Sequence, residues 1–84
     1  MDYENSIEKK ISDAAQRVCL RPVGRMEALL SSDLLDSIAR IELALELEDL
    51  FAIKITTAEI NFENFENISL IASFIETKIQ LASN

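Results

Sequence analysis

Asp36 and Ser37 open the stretch "DSIARIELALELEDLF", residues 36 to 51, where polar side chains give way to a dense run of leucine and isoleucine. Aspartate and serine both accept hydrogen bonds from the free N–H groups at a helix start, so either residue of the pair can cap a helix. With Asp36 as the cap, Ser37 takes the first helical position, its hydroxyl outward beside the unsatisfied N–H groups and the positive end of the helix dipole. A phosphate esterified to that oxygen would be stabilised there. A nucleophilic serine needs a base beside it, and the chain contains no histidine. Ser-His and Cys-His pairs and histidine-containing zinc sites are therefore excluded. The single cysteine, Cys19, cannot form an internal disulfide, fits a reducing compartment and reads as a small hydrophobe and not as a nucleophile. Glu42 and Glu46 share one helix face, but a hydrolase or lyase needs a base and a pocket, and these acids are expected to stand open to solvent. Ser37 reads as an attachment point and not as a catalyst.

The elements that must present Ser37 follow from hydrophobic spacing. Ile7, Ile11, Ala14 and Val18 recur at helical intervals and predict a first helix over about 4–18, with Asn5 and Glu8 as a capping pair and Asp2 as a rival start. Next, "CLRPVGRMEALLSSDLL" holds the only proline and the only glycine, Pro22 and Gly24, and reads as a long loop with one helical turn near Met26 to Leu29. From 37 to 51 the apolar positions cover more than half of a helix circumference while Glu42, Glu46, Glu48 and Asp49 supply charge, so this helix is expected to be partly buried and strongly acidic. "FAIKITT" alternates like a strand but has no partner strand in the chain, which makes it an extended connector. Thr56 and Glu59 form a T-x-x-E pair that starts a short helix over 57–61, ahead of the echo "NFENFEN". Asn67 caps a last helix over 68–81, whose stripe of Ile68, Ile71, Ala72, Ile75 and Ile79 is joined by Leu70 and Phe74. The expected fold is all-α, a small bundle of three main helices and one short one with a long first loop. Its expected core holds Ile7, Ile11, Leu47, Phe51, Ile55, Ile71 and Ile75.

Size and charge bound the partners. With 84 residues the chain is expected to be one domain spanning 1–84. The net charge is −7, and it is unevenly spread. Residues 27 to 66 carry ten acids against only Arg40 and Lys54, a net of −8, which leaves the remainder at +1. Such a field attracts basic protein surfaces and repels nucleic acid and anionic membranes. The start "MDYENSIEKK" lacks the basic and apolar pattern of a signal peptide, and no run approaches the ~20 apolar residues of a membrane span. A cytoplasmic location without membrane insertion is expected.

Residues 34 to 55, "LLDSIARIELALELEDLFAIKI", resemble the phosphopantetheine attachment segment of the acyl carrier protein family, with its peptidyl and D-alanyl carrier relatives. The family pattern is Asp-Ser-Leu, a helix alternating aliphatic and acidic residues, Glu-x-x-Phe and an Ile-containing connector. Asp36, Ser37 and Ile38 match its core, Glu42 and Leu43 its Glu-Leu, and Glu48 with Phe51 its end. The long first loop, the short third helix and the final "ISLIASFI" also fall where the family has them, so the resemblance spans nearly the whole chain. Two positions depart: Leu35 stands where many fatty-acid carriers have Gly, and Ala39 where they usually have Asp. Leu-Leu-Asp-Ser also occurs in D-alanyl carriers, which leaves the cargo open among fatty acid, polyketide, amino acid and D-alanine.

The resemblance implies a carrier. A phosphopantetheinyl transferase moves 4'-phosphopantetheine from coenzyme A to Ser37, beside Asp36, and the arm's thiol holds an acyl or aminoacyl group as a thioester. The helix that follows becomes the docking face, with Glu42, Glu46 and Asp49 meeting basic surfaces of ligases or synthases and Ile38, Ile41 and Leu45 supplying apolar contact. The chain itself is expected to catalyse nothing, to bind no metal and to act as a monomer. Against this stand an ordinary solvated helix face and, from another class, an unmodified acidic helical adaptor. The carrier gains the arm when incubated with coenzyme A and a transferase, whereas the adaptor stays unmodified and forms a stable complex with its partner.

Overall fold

The structure, a computed structural model, describes residues 6 to 82. Helices α1 (Ile7–Cys19), α2 (Ser37–Phe51), α3 (Phe62–Phe65) and α4 (Ile68–Ala82) follow in order, with a 3-10 turn at Thr57–Glu59 and no strand among the described residues. The fold is all-α, as the sequence leads one to expect. Helix α1 packs on α2 and α4, and α3 packs on α4.

Local chemistry sets each helix end. Ser6 caps α1, its hydroxyl accepting from the Lys9 N–H at 3.0 Å. The cap therefore lies one residue after the expected Asn5, which, like Asp2 and the expected start at Glu4, lies outside the described residues. Placing the cap at Ser6 leaves Ile7 as the first helical residue, packed at the edge of the core. Asn67 caps α4 by accepting from the Leu70 N–H at 2.8 Å. Both α1 and α2 end on a residue in the left-handed region, Leu20 (φ 61°) and Ala52 (φ 54°), a conformation that glycine adopts more readily.

Two short elements differ from expectation. No helical turn forms at 26–29; the loop instead folds tightly at Gly24–Glu27, where the Glu27 N–H donates to the Gly24 carbonyl at 3.1 Å. The helix expected over 57–61 is a 3-10 turn held by the Thr56 N–H on Glu59 Oε1 at 2.8 Å, and the α-helical turn comes later. Asn61 starts it by accepting from the Asn64 N–H at 3.0 Å, so "NFENFEN" is the short helix α3.

The core is built from Ile11, Ala14 and Ala15 of α1, Leu43 and Leu47 of α2, Phe65 of α3 and Ile68, Ile71 and Ile75 of α4. Leu29, Leu30 and Leu35 of the long loop are buried among them. Of the expected core, Ile11, Leu47, Ile71 and Ile75 are fully buried, whereas Ile7, Phe51 and Ile55 are only half-buried at its edge. In the connector Ile53 turns inward instead of Ile55. Phe65 meets Phe74 with ring centroids 5.7 Å apart, a tilted pair that locks α3 to α4. No helix among the described residues is long and apolar enough to cross a membrane.

Candidate functional site

Asp36 lies in extended conformation, and its carboxylate accepts from the Ala39 N–H at 2.8 Å while its carbonyl accepts from the Arg40 N–H at 2.9 Å. Asp36 is the cap, so Ser37 is the first helical residue, and it is exposed. Its surroundings separate it from the nearby serines. The Ser31 hydroxyl donates to Glu66 and the Ser32 hydroxyl to the Ala28 carbonyl, while among the described residues no hydrogen bond engages the hydroxyl of Ser37. The first N–H groups of α2 and the positive end of its dipole lie beside that free hydroxyl. A phosphodiester on Ser37 would meet the N–H groups of the first turn that Asp36 leaves open, since Asp36 itself takes those of Ala39 and Arg40.

The face of α2 next to Ser37 is unusual. Ile38, Ile41 and Leu45 are 71%, 49% and 57% exposed, while Leu43 and Leu47 on the opposite side are fully buried. At about 100° per residue, Ile38, Ile41, Glu42, Leu45 and Asp49 fall on one outward stripe that runs away from Ser37. Burial thus explains only half of the helix's apolar residues. The other half forms an aliphatic surface edged by carboxylates.

The acids of α2 divide. Glu42 and Asp49 are exposed, whereas Glu46 is half-buried and paired across to α1, its Oε1 2.9 Å from Arg17 Nε. Glu48 faces a different way: its carboxylate accepts from the Ile55 N–H at 2.7 Å and ties the connector to α2. The matched Glu-x-x-Phe is therefore a structural device, with Phe51 under the ammonium group of Lys10 at 5.9 Å. The pairing of Arg17 with Glu46 has no signal in the sequence, because it joins residues far apart in the chain.

Two surface grooves, one along Glu48, Asp49, Ile53 and Lys78 and one along Asp13, Arg17, Leu20 and Pro22, include none of Ser37, Glu42 and Glu46. Partial burial, only partly offset by the nearby Arg21, pushes the Cys19 thiol above its ordinary value, so it is a poor nucleophile.

No family model matches the chain. A curated relative does: the D-alanyl carrier protein of Streptococcus uberis is 33% identical over 73 residues, an alignment that covers 84% of this chain and 92% of that protein. That identity over nearly the full length of both chains, added to the all-helical bundle, places this chain in the carrier protein family.

Proposed function

We propose that this chain carries acyl or aminoacyl groups on a 4'-phosphopantetheine arm attached to Ser37. The observation that carries the reading is the free, exposed hydroxyl at the first position of α2, beside an outward aliphatic and acidic stripe, in a chain of the carrier family. Once attached, the arm supplies a terminal thiol that binds the cargo. The chain's own residues do the rest. Asp36 holds the helix end by its cap, the N–H groups of α2 stabilise the phosphate charge, and the stripe from Ile38 to Asp49 receives partner enzymes. Those partners are a phosphopantetheinyl transferase and an acyl or aminoacyl ligase or synthase with basic docking surfaces. The chain acts as a cytoplasmic monomer and catalyses no step itself. Similarity to a D-alanyl carrier protein, together with Leu34-Leu35-Asp36-Ser37, makes an amino acid of that kind the first cargo to test, ahead of fatty acid and polyketide groups.

Incubation with coenzyme A and a broad-specificity phosphopantetheinyl transferase, followed by intact-mass measurement, tests the reading. Wild type gains one phosphopantetheinyl group and Ser37→Ala gains none. Modification of the alanine variant, or an unmodified wild type that instead forms a stable complex with a partner, favours the acidic adaptor and removes this reading.

A further inference from the structure

We infer that Glu66 is a positioning residue for modification of Ser37, acting through the loop that delivers Asp36 to the start of α2; the inference rests on Ser37 as the attachment point. Glu66 ends α3 and clamps three consecutive loop residues. Its own carbonyl accepts from the Leu29 N–H at 2.7 Å, and its Oε1 accepts from the Leu30 N–H at 2.9 Å and the Ser31 N–H at 3.0 Å. Its other carboxylate oxygen takes the Ser31 hydroxyl. The grip passes on to Leu35, just ahead of the Asp36 cap, in two steps. The Leu35 N–H donates to the Leu29 carbonyl at 3.0 Å, and Arg40 Nε of α2 donates to the Leu35 carbonyl at 2.9 Å.

A continuous series of backbone hydrogen bonds therefore runs from the Glu66 carbonyl through Leu29 to Leu35, the residue before Asp36, and the Glu66 carboxylate braces its start by holding Leu30 and Ser31 beside Leu29. Ser37 itself is placed by α2 and the Asp36 cap, and this frame sets how the loop leading into Asp36 lies beside it. Hydrogen bonds to an ionised carboxylate are the stronger kind, and the Ser31 hydroxyl, foremost among its donors, holds Glu66 below the usual carboxylate range. Without the clamp the loop spends part of its time displaced. An enzyme that needs the docked arrangement then sees an affinity reduced by the docked fraction. The loss belongs in KM and not in kcat.

The test measures transfer from coenzyme A by a phosphopantetheinyl transferase to the full chain, as wild type, Glu66→Ala, Glu66→Gln and Glu59→Ala. Glu59 is the matched control, since it clamps the Thr56 N–H and pairs with Lys78 at 2.8 Å on the other side of α3. Glu66→Ala should raise KM for the chain on the order of tenfold with little change in kcat. Glu66→Gln keeps an oxygen acceptor and should recover most of the loss, and Glu59→Ala should load like wild type. Should Glu66→Ala fail to fold, Ser31→Ala, which removes one of the contacts, should still raise KM about two- to threefold. A folded Glu66→Ala with the wild-type KM, or an equal rise in Glu59→Ala, overturns the inference. A wild type that takes no arm removes the reading of Ser37 itself, which separates the two failures.

Discussion

Asp36 and Ser37 divide two tasks at one helix end, and the division is chemical. A carboxylate makes a strong cap through the Ala39 N–H, which leaves the neighbouring hydroxyl without a structural duty. Asp36→Ala should cost about 1 kcal/mol of stability, seen as a lower thermal midpoint, whereas Ser37→Ala should unfold like wild type. Equal midpoints for the two variants would show that Asp36 is not the working cap. This pair was legible in the sequence because a cap and its helix are local. Glu48, Glu59 and Glu66 were harder to read, since each carboxylate serves backbone N–H groups whose position depends on how loops meet; only Glu59, bonded within its own turn, left a local T-x-x-E signal. Such clamps also set the response to acid. Arg21 holds Glu27, Lys78 holds Glu59 and the Ser31 hydroxyl holds Glu66 below their ordinary values. Their stabilisation is present above the unfolded carboxylate range, ~4.3, and is lost as pH falls through the lower folded values. The thermal midpoint should fall on acidification from about pH 4 downward, and a triple variant with glutamine at 27, 59 and 66 should show a shallower acid limb. An unchanged acid limb in that variant would remove these three acids as its cause.

At the scale of elements, α2 and α4 show what periodicity can and cannot report. The α4 stripe points where its spacing says: Ile68, Ile71 and Ile75 are buried on one side. Ile75→Ala should lower the denaturation midpoint by the equivalent of ~2 to 5 kcal/mol, the ordinary cost of truncating a buried aliphatic. A midpoint equal to that of wild type would mean the stripe does not carry the core. Helix α2 is apolar almost all round, so its sequence announces burial without saying which side is buried; the packed core decides by taking in Leu43 and Leu47 and leaving Ile38, Ile41 and Leu45 outside. Irregular segments hide their core residues altogether. Leu29 and Leu35 are fully buried in a loop with no period to mark them, and Ile53, just after the left-handed Ala52, is buried where Ile55 was expected. The short helices were misplaced for a related reason: a 3-10 turn and a single α-helical turn are too brief for periodicity, and only their caps, Thr56 and Asn61, speak for them.

For the whole molecule the uneven charge is the feature that partners would sense. Internal pairing removes several of the acids between residues 27 and 66 from that field: Glu46 is held by Arg17, Glu27 by Arg21 and Glu59 by Lys78. Glu42 and Asp49 remain on the exposed stripe of α2 beside Ile41 and Leu45. Reversing Glu42 to Lys should therefore slow loading by the transferase through association, while stability changes by less than ~0.5 kcal/mol, as for most exposed substitutions. Reversing Glu46 does more than remove a charge, because the new lysine faces Arg17; Arg17→Ala is the cleaner probe and should speed association by freeing the Glu46 carboxylate. Added salt should weaken the wild type in the same direction as Glu42→Lys, since exposed charges are screened over about 8 Å at physiological ionic strength. Glu76, exposed on α4 and outside the acidic segment, is the control. If Glu76→Lys slows loading as much as Glu42→Lys, partners sense total charge alone, and the stripe beside Ser37 is not their docking face.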